Sequence, residues 1–191
     1  MFLAVVPPAA IRDHLDTFLE SRREAGVDIR WTDPEQFHIT LAFLPDVPDR
    51  VLEPLADALA DAVRERAAFA LHLAGGGAFP SPYAARILTA RVADDGGHLP
   101  RLARVTRATA NRSGAAPDGG RFDAHVTVAR VRHPIEATRW LRILDTYESP
   151  GWVVGDLALV ASHLGQGRER RPRYETLATL PLATAAAGRA G

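Results

Sequence analysis

Two copies of the pattern His-x-Thr are the residues of this chain with the clearest capacity for chemistry. The first is His38 and Thr40 within QFHITLAFL, and the second is His125 and Thr127 within DAHVTVARV. The two histidines stand 87 positions apart (125 − 38). Side chains in a strand alternate between its two faces, so each copy predicts an imidazole and a hydroxyl together on one face.

Two imidazoles and two hydroxyls that meet in one cleft suit the hydrolysis of a phosphodiester. That reaction needs one group to take a proton from the nucleophile and another to give a proton to the leaving oxygen. Histidine titrates near neutral pH, so a pair can hold one neutral and one protonated member. The threonine hydroxyls can donate hydrogen bonds to the non-bridging phosphate oxygens.

Strict alternation also predicts the neighbours of each motif. Ala42 and Ala129 would share the face of the histidines and leave room for a substrate, whereas Phe43 would point into the core. Arg130 would also lie on the core face, opposite His125, and would reach a bound phosphate only if its strand bends or ends there. A structural salt bridge is the alternative role for Arg130.

Other site chemistries have little support in the residue pattern. A lone histidine in a strand is usually structural, so the phosphodiester hypothesis depends on the motif occurring twice. A zinc site needs three or four ligands, but the other five histidines are scattered and cysteine is absent. The sequence has no Gly-x-Ser-x-Gly elbow and no Walker-type phosphate loop. We therefore expect no metal and no cofactor.

Composition argues against a broad nucleic-acid-binding surface. The 191 residues carry 23 basic and 23 acidic side chains, a formal net charge of zero. Residues 101–142 nevertheless hold nine arginines and three acids, which fits a phosphate-bearing partner contacted over a small area, or a solvated helix face. With no cysteine and no apolar run near the roughly 20 residues of a membrane span, we expect a cytoplasmic protein without membrane contact.

The hydrophobic pattern predicts strands and helices in an α+β order. Strands are predicted at residues 2–6, 28–32, 37–44, 69–75, 85–92, 121–131, 152–164 and 173–182. Helices are predicted at residues 7–26, 50–67, 99–112 and 134–147. Because the two motif strands fall at comparable positions, we expect a bilobal fold: two pseudo-symmetric lobes of antiparallel sheet with helices on the outside and a central cleft. We assign residues 1–183 to this single domain and residues 184–191 to a flexible tail.

Beyond the paired motifs, the chain resembles the 2H phosphoesterase superfamily over nearly its whole length, to about Leu182. HITL and HVTV resemble the two HxTx motifs of that superfamily, FLAVVPP its opening strand, and RPRYETLATLPL its closing strand. Within the superfamily, the features are most similar to the bacterial and archaeal RNA 2′,3′-cyclic phosphodiesterases, historically called 2′-5′ RNA ligases (LigT-like). Pro45 stands where that family usually has glycine, so the loop after the first motif is expected to differ in shape.

The resemblance implies metal-independent hydrolysis of a 2′,3′-cyclic phosphate at an RNA end, which leaves a 2′-phosphomonoester. It also implies ATP-independent joining of RNA ends through a 2′-5′ linkage. Carried over by position, His38 is the proton donor to the departing 3′ oxygen and His125 is the proton acceptor that activates water. Thr40 and Thr127 hold the phosphate, and Arg130 matches the arginine that follows the second motif in this family.

Several alternatives stay open for the roles of two aromatic residues and of one arginine-rich loop. Phe79 and Tyr83, in a segment rich in Gly and Pro, are candidates to stack on a terminal base, with ordinary loop packing as the alternative. The arginine-rich loop at residues 166–173 either widens the contact with RNA or is solvated. The expected partners are RNA ends, tRNA fragments among them, bound by a monomer.

Two other functions stay open beside the first. The cleft could open a cyclic phosphate on a small nucleotide or an ADP-ribose derivative, and the neutral net charge favours small or end-only substrates. The protein could instead be a non-catalytic module that binds RNA ends. The intact histidine and threonine in both copies argue against that last hypothesis.

Overall fold

The computed structural model describes residues 1–23, 29–167 and 171–184. Nine strands and four α-helices lie within these ranges. The strands are β1 (Phe2–Val5), β2 (Ile29–Trp31), β3 (Ile39–Phe43), β4 (Phe69–Phe79), β5 (Ala85–Ala93), β6 (His125–Ile135), β7 (Trp152–Val154), β8 (Asp156–His163) and β9 (Arg173–Pro181). The helices are α1 (Ala9–Glu20), α2 (Asp49–Val63), α3 (His98–Arg112) and α4 (Thr138–Leu144). The predicted tail lies outside the described residues except for Thr184, and so do positions 168–170 of the arginine-rich loop.

Antiparallel pairing joins the strands into one strongly curled sheet. Its order is β7-β4-β5-β6-β3-β1-β8-β9, and β2 pairs with β6 outside this path. The motif strands β3 and β6 are therefore central, and three further strands follow each of them toward the edge of the sheet. We call β1, β3, β8 and β9 the β3 half, and β4, β5, β6 and β7 the β6 half. The predicted α+β fold is confirmed, with both halves in a continuous sheet.

The helices supply one side of the core through apolar residues at helical spacing. Helix α1 buries Ile11, Leu15 and Leu19, and helix α2 buries a similar row at intervals of four residues. The described helices include none that is long and apolar enough to cross a membrane. The opposite face of the central strands is left to form the cleft.

The two halves meet at one residue pair. Among the described residues, β3 and β6 pair only through Ile39 and Val126, and both side chains are fully buried. Facing residues of an antiparallel pair have a constant sum of numbers, here 165 (39 + 126). The same register sets His38 opposite Thr127 and sets Thr40 opposite the second histidine (40 + 125). All four motif side chains thus lie on the face opposite the core.

Each motif strand contains a bulge directly after its threonine. In β3 the pairing with β1 skips Leu41, and in β6 the pairing with β5 skips Val128. A bulge adds one residue to one strand, so that two residues face one on the partner and the local ladder is disrupted. The residues beyond Leu41 and Val128 consequently exchange faces relative to strict alternation.

The bulges contradict the alternation expected from the sequence. Ala42 and Ala129 are 1% and 0% exposed and belong to the core, so they do not leave room for a substrate. Phe43, predicted to be core, is 44% exposed and lines the cleft. Arg130, predicted on the core face, also lines the cleft. The bulge at Val128 supplies the bend in the strand that Arg130 needs in order to face a phosphate bound in the cleft.

Hydrogen bonds satisfy the carbonyl group of each bulge residue. The Leu41 carbonyl accepts from Nε of Arg107 at 3.1 Å. The Val128 carbonyl accepts from the backbone N–H of Thr32 at 2.9 Å. Arg107 also donates to the carbonyl of Gly120 at 2.5 Å, so its guanidinium ties helix α3 to both the bulge and the loop before β6.

Several predicted element boundaries are wrong, and tertiary pairing explains them. Strand β4 continues through the predicted loop to Phe79 because it pairs with β5 along its length. The predicted strand at 152–164 divides at Gly155, since β7 pairs with β4 whereas β8 pairs with β1. Helix α4 begins at Thr138 instead of Pro134, because β6 extends to Ile135.

The Arg107 bond to the first bulge gives a test of the fold. We expect Arg107→Met to lower the free energy of unfolding by about 1–3 kcal/mol, because the buried Leu41 carbonyl loses its donor. Urea denaturation followed by circular dichroism measures the change. Arg104→Met, at an exposed position of the same helix, is the matched control and should change stability by less than about 0.5 kcal/mol. Equal effects of the two variants would contradict this account of the bulge.

Candidate active site

The four motif side chains line one cleft of about 460 Å³ between the two halves. The β3 half adds aromatic groups to its wall, namely Phe2, Phe43 and Tyr174. Strands β2 and β6 add the guanidinium groups of Arg30 and Arg130. The lining of the cleft therefore combines aromatic rings with guanidinium groups.

The imidazoles of His38 and His125 are held by the same kind of hydrogen bond. Nδ1 of His38 lies 2.7 Å from the carbonyl oxygen of Gln36, and Nδ1 of His125 lies 2.8 Å from that of Asp123. A backbone carbonyl only accepts hydrogen bonds, so Nδ1 must carry the proton in each ring. Nε2 is then the nitrogen that can accept or donate a proton in the cleft.

The aromatic surroundings of the two imidazoles differ. The ring of His38 stacks on Phe2, with centroids 4.5 Å apart and an interplanar angle of 20°. Tyr174 meets the same imidazole edge-on at 5.5 Å. The ring of His125 lies 4.9 Å from Phe79, tilted by 47°. Two aromatic rings thus enclose the imidazole of the β3 half, and one ring contacts the imidazole of the β6 half.

Burial lowers the pKa of His38 from its ordinary value of 6.5 to about 4. The hydrogen bond to Gln36 opposes this shift, and positive charge on His125 and Arg130 adds to it. Burial also raises the pKa of the Tyr174 hydroxyl, against the opposing effect of Arg130. At neutral pH, His38 is therefore uncharged in the free protein. A phosphodiester in the cleft would bring negative charge, which favours the protonated imidazole.

The structure brings the two predicted histidines and two predicted threonines together, with Arg130 beside them. Phe79 lies at the end of β4 against the second imidazole. Tyr83 lies on a short 3₁₀ turn (Pro82–Ala84), is 82% exposed, and is absent from the residues that line the cleft. Base stacking by these two aromatic residues remains a prediction.

Sequence reasoning missed several residues of the cleft. Arg30 could have been found, because it is the charged residue between Ile29 and Trp31 in the strand predicted at residues 28–32. Phe43 could not, because the bulge that exposes it has no distinctive sequence. Among residues 1–23, 29–167 and 171–184, no group of three or more His, Cys, Asp or Glu is placed to hold a metal ion.

Comparison with known proteins gives the class to which this chain belongs. Residues 5–89 match the family model described as LigT like Phosphoesterase. The crystal structure of TT0787 from Thermus thermophilus superposes with a TM-score of 0.75 and 25% identity over 97% of this chain and 98% of that one. The apo form of E. coli LigT superposes with a TM-score of 0.73 and 26% identity over 95% and 96% of the two chains. The fold is that of the LigT-like phosphoesterases, an enzyme class, as the resemblance to the 2H superfamily predicted.

Curated relatives narrow the class further, and each bears the name RNA 2′,3′-cyclic phosphodiesterase. The relative from Aeropyrum pernix is 30% identical over 83% of this chain and 89% of its own length. The relative from Archaeoglobus fulgidus is 32% identical over 69% and 72%. The relative from Geobacillus stearothermophilus is 35% identical over 84% of this chain, which spans 50% of that relative. The chain belongs to the RNA 2′,3′-cyclic phosphodiesterase family.

The fixed imidazoles lead to a prediction for NMR. We expect ¹⁵N shifts to show both His38 and His125 with the proton on Nδ1, and His38 to stay neutral on acidification until about pH 4. Arg130→Gln should raise the pKa of His38, because a nearby positive charge is removed. Arg132→Gln, an equal charge change two residues further along β6 and outside the cleft lining, is the control. A His38 midpoint near 6.5, or one that Arg130→Gln leaves in place, would contradict the role of burial and charge.

Proposed function

We propose that the protein hydrolyses 2′,3′-cyclic phosphodiester ends of RNA, tRNA fragments among them, to 2′-phosphomonoesters without a metal ion. The observation that carries the proposal is the convergence of two imidazoles, each fixed through Nδ1, and two threonine hydroxyls in one cleft. The shared name of the curated relatives supports the choice of substrate.

The proposed reaction adds one water molecule across one P–O bond. Nε2 of His125 takes a proton from water, and the resulting hydroxide attacks the phosphorus. The bond from phosphorus to the 3′ oxygen breaks, and Nε2–H of His38 gives its proton to that oxygen. The 2′ oxygen keeps the phosphate. Thr40 and Thr127 donate hydrogen bonds to the non-bridging oxygens as negative charge develops on them.

The assignment of the proton donor to His38 follows from the family resemblance, and burial works against it in the free protein. Because the pKa of His38 is lowered to about 4, its protonated form is a minority at neutral pH. The negative charge of the cyclic phosphate would favour that form on binding. Proton uptake by His38 is therefore coupled to substrate binding.

Joining of RNA ends would use the same cleft, with a 5′-hydroxyl of a second RNA end in the place of water. The 5′ oxygen attacks the phosphorus, the bond from phosphorus to the 3′ oxygen breaks, and the 3′ oxygen takes up a proton, which leaves a 2′-5′ linkage. No nucleoside triphosphate is needed for this exchange, because one P–O bond is broken as another forms.

The histidine variants test the proposal directly. We expect His38→Gln and His125→Gln each to lower kcat by about 10²–10⁴-fold, because each removes one proton-transfer group. The assay is a short RNA with a 2′,3′-cyclic phosphate end, in EDTA, with the 2′-phosphate product identified by mass and by resistance to 3′-specific phosphatase. His133→Gln, at an exposed position of the same strand β6, is the control. Full activity in either motif variant, or strict dependence on added metal, would overturn the proposal.

The threonines give a second test with a different signature. We expect Thr40→Val and Thr127→Val each to lower kcat by about 10²–10³-fold with a smaller change in KM, because their hydroxyls act mainly on charge that develops in the transition state. Steady-state kinetics on the same RNA measures both constants. A loss confined to KM would assign the hydroxyls to ground-state binding alone.

A second candidate is a cyclic phosphate on a small nucleotide or an ADP-ribose derivative. E. coli LigT has been crystallised with 3′-AMP, with ATP and with NADP+. A cleft of about 460 Å³ also falls in the size range of small-molecule sites. Turnover of a cyclic mononucleotide compared with an oligonucleotide of the same terminal base separates this candidate from the first.

A further inference from the structure

Two arginines face each other across the strands that border the cleft. Arg30 of β2 and Arg130 of β6 are direct partners in the antiparallel register, and both line the cleft. Like charges placed directly opposite each other destabilise a sheet. A pair of this kind therefore needs a compensating negative charge.

Within residues 1–23, 29–167 and 171–184, no carboxylate forms an ion pair with either arginine, and Asp33 lines a cavity together with Arg30. None of the ion pairs there involves Arg30 or Arg130. The nearby carboxylate of Asp33 instead pairs with Arg171 at 2.5 Å. The two facing guanidinium groups are therefore available to bind an anion that enters the cleft.

The position of the pair shows where that anion would lie relative to the reacting phosphate. Arg130 stands three residues beyond Thr127 on the same strand, at most about 10 Å away at roughly 3.3 Å per residue. Arg30 also lines an adjoining cavity of about 470 Å³, together with Trp31 and Thr32. The cleft therefore meets an adjoining cavity at Arg30, and the lining of that cavity contains neither imidazole.

We propose that Arg30, together with Arg130, forms a second phosphate-binding subsite. It would take the phosphate on the 5′ side of the nucleotide whose 2′,3′-cyclic phosphate is opened, which deepens the proposed function and rests on it. Guanidinium groups bind phosphate oxygens through paired, charge-assisted hydrogen bonds. A phosphate between the two groups would also remove their mutual repulsion. The preferred substrate then has at least two phosphates.

Two sources can supply this second phosphate, and the test separates them. In an RNA chain the second phosphate is the internucleotide phosphate, and in a small nucleotide it is the terminal 5′-phosphate. Three substrates with one terminal nucleoside are compared by kcat/KM: the nucleoside 2′,3′-cyclic phosphate, its 5′-phosphorylated form, and the dinucleotide that ends in the same cyclic phosphate.

We expect a second phosphate to raise kcat/KM by about tenfold or more, as befits charge-assisted hydrogen bonds. Arg30→Gln should reduce this ratio to near one, and Arg30→Lys should retain part of it. Arg104→Gln, an equal charge change on the exposed face of α3, should leave the ratio as it is in the wild-type protein. A gain for the dinucleotide identifies RNA as the source, and a gain for the 5′-phosphorylated nucleotide alone identifies a small nucleotide.

Failure of the subsite is distinguishable from failure of the proposed function. If wild-type protein turns over all three substrates and Arg30→Gln leaves their ratio unchanged, the subsite is overturned and the hydrolysis stands. If wild-type protein turns over none, the hydrolysis is overturned. Binding of a nucleoside 2′,5′-bisphosphate and of a nucleoside 2′-phosphate, followed by Trp31 fluorescence, then tests the subsite. Equal affinities for the two ligands, in wild-type protein and in Arg30→Gln, would overturn it.

Discussion

One backbone pairing, between Ile39 and Val126, fixes the geometry on which the rest of the site depends. An antiparallel pair has a local twofold axis, so a motif repeated on both strands becomes a symmetric array of side chains. A slip of one residue in either strand would send the histidine and threonine of that strand to the opposite face. Complete burial of both paired residues opposes that slip, because it would expose apolar groups and bury imidazoles. Hydrophobic burial at one pair thus determines where the two motif imidazoles lie.

The two motif strands are arranged symmetrically, but the side chains around them differ. Each motif strand has a bulge directly after its threonine. The second residue after the bulge residue faces the cleft, and that residue is Phe43 in the β3 half but Arg130 in the β6 half. The imidazoles differ in the same sense, because Phe2 stacks on His38 and burial lowers its pKa. Equal positions on the two strands thus have unequal surroundings, and burial makes His38 harder to protonate in the free protein.

The sequence predicts the composition of the site better than its shape. The doubled His-x-Thr motif is enough to select both histidines and both threonines, because alternation within a strand is a local property. The bulges at Leu41 and Val128 are not local, since each is defined only by pairing with another strand. The facing of Arg30 and Arg130 likewise depends on the register between strands 100 positions apart (130 − 30). Most helices and strands could be predicted, but their ends follow tertiary pairing.

A protein with zero net charge can still hold the end of a polyanion when its cations are concentrated in the cleft. Arg30 and Arg130 lie opposite each other in that cleft, and Asp33 neutralises a third guanidinium nearby, that of Arg171. Under the proposed function, binding through a few fixed groups would make affinity depend on phosphates near the reacting end and little on chain length. The aromatic side chains of the cleft would stack on a base without regard to sequence, since every base has a stacking face. Such a cleft would select the chemistry and phosphate spacing of an RNA end rather than its sequence.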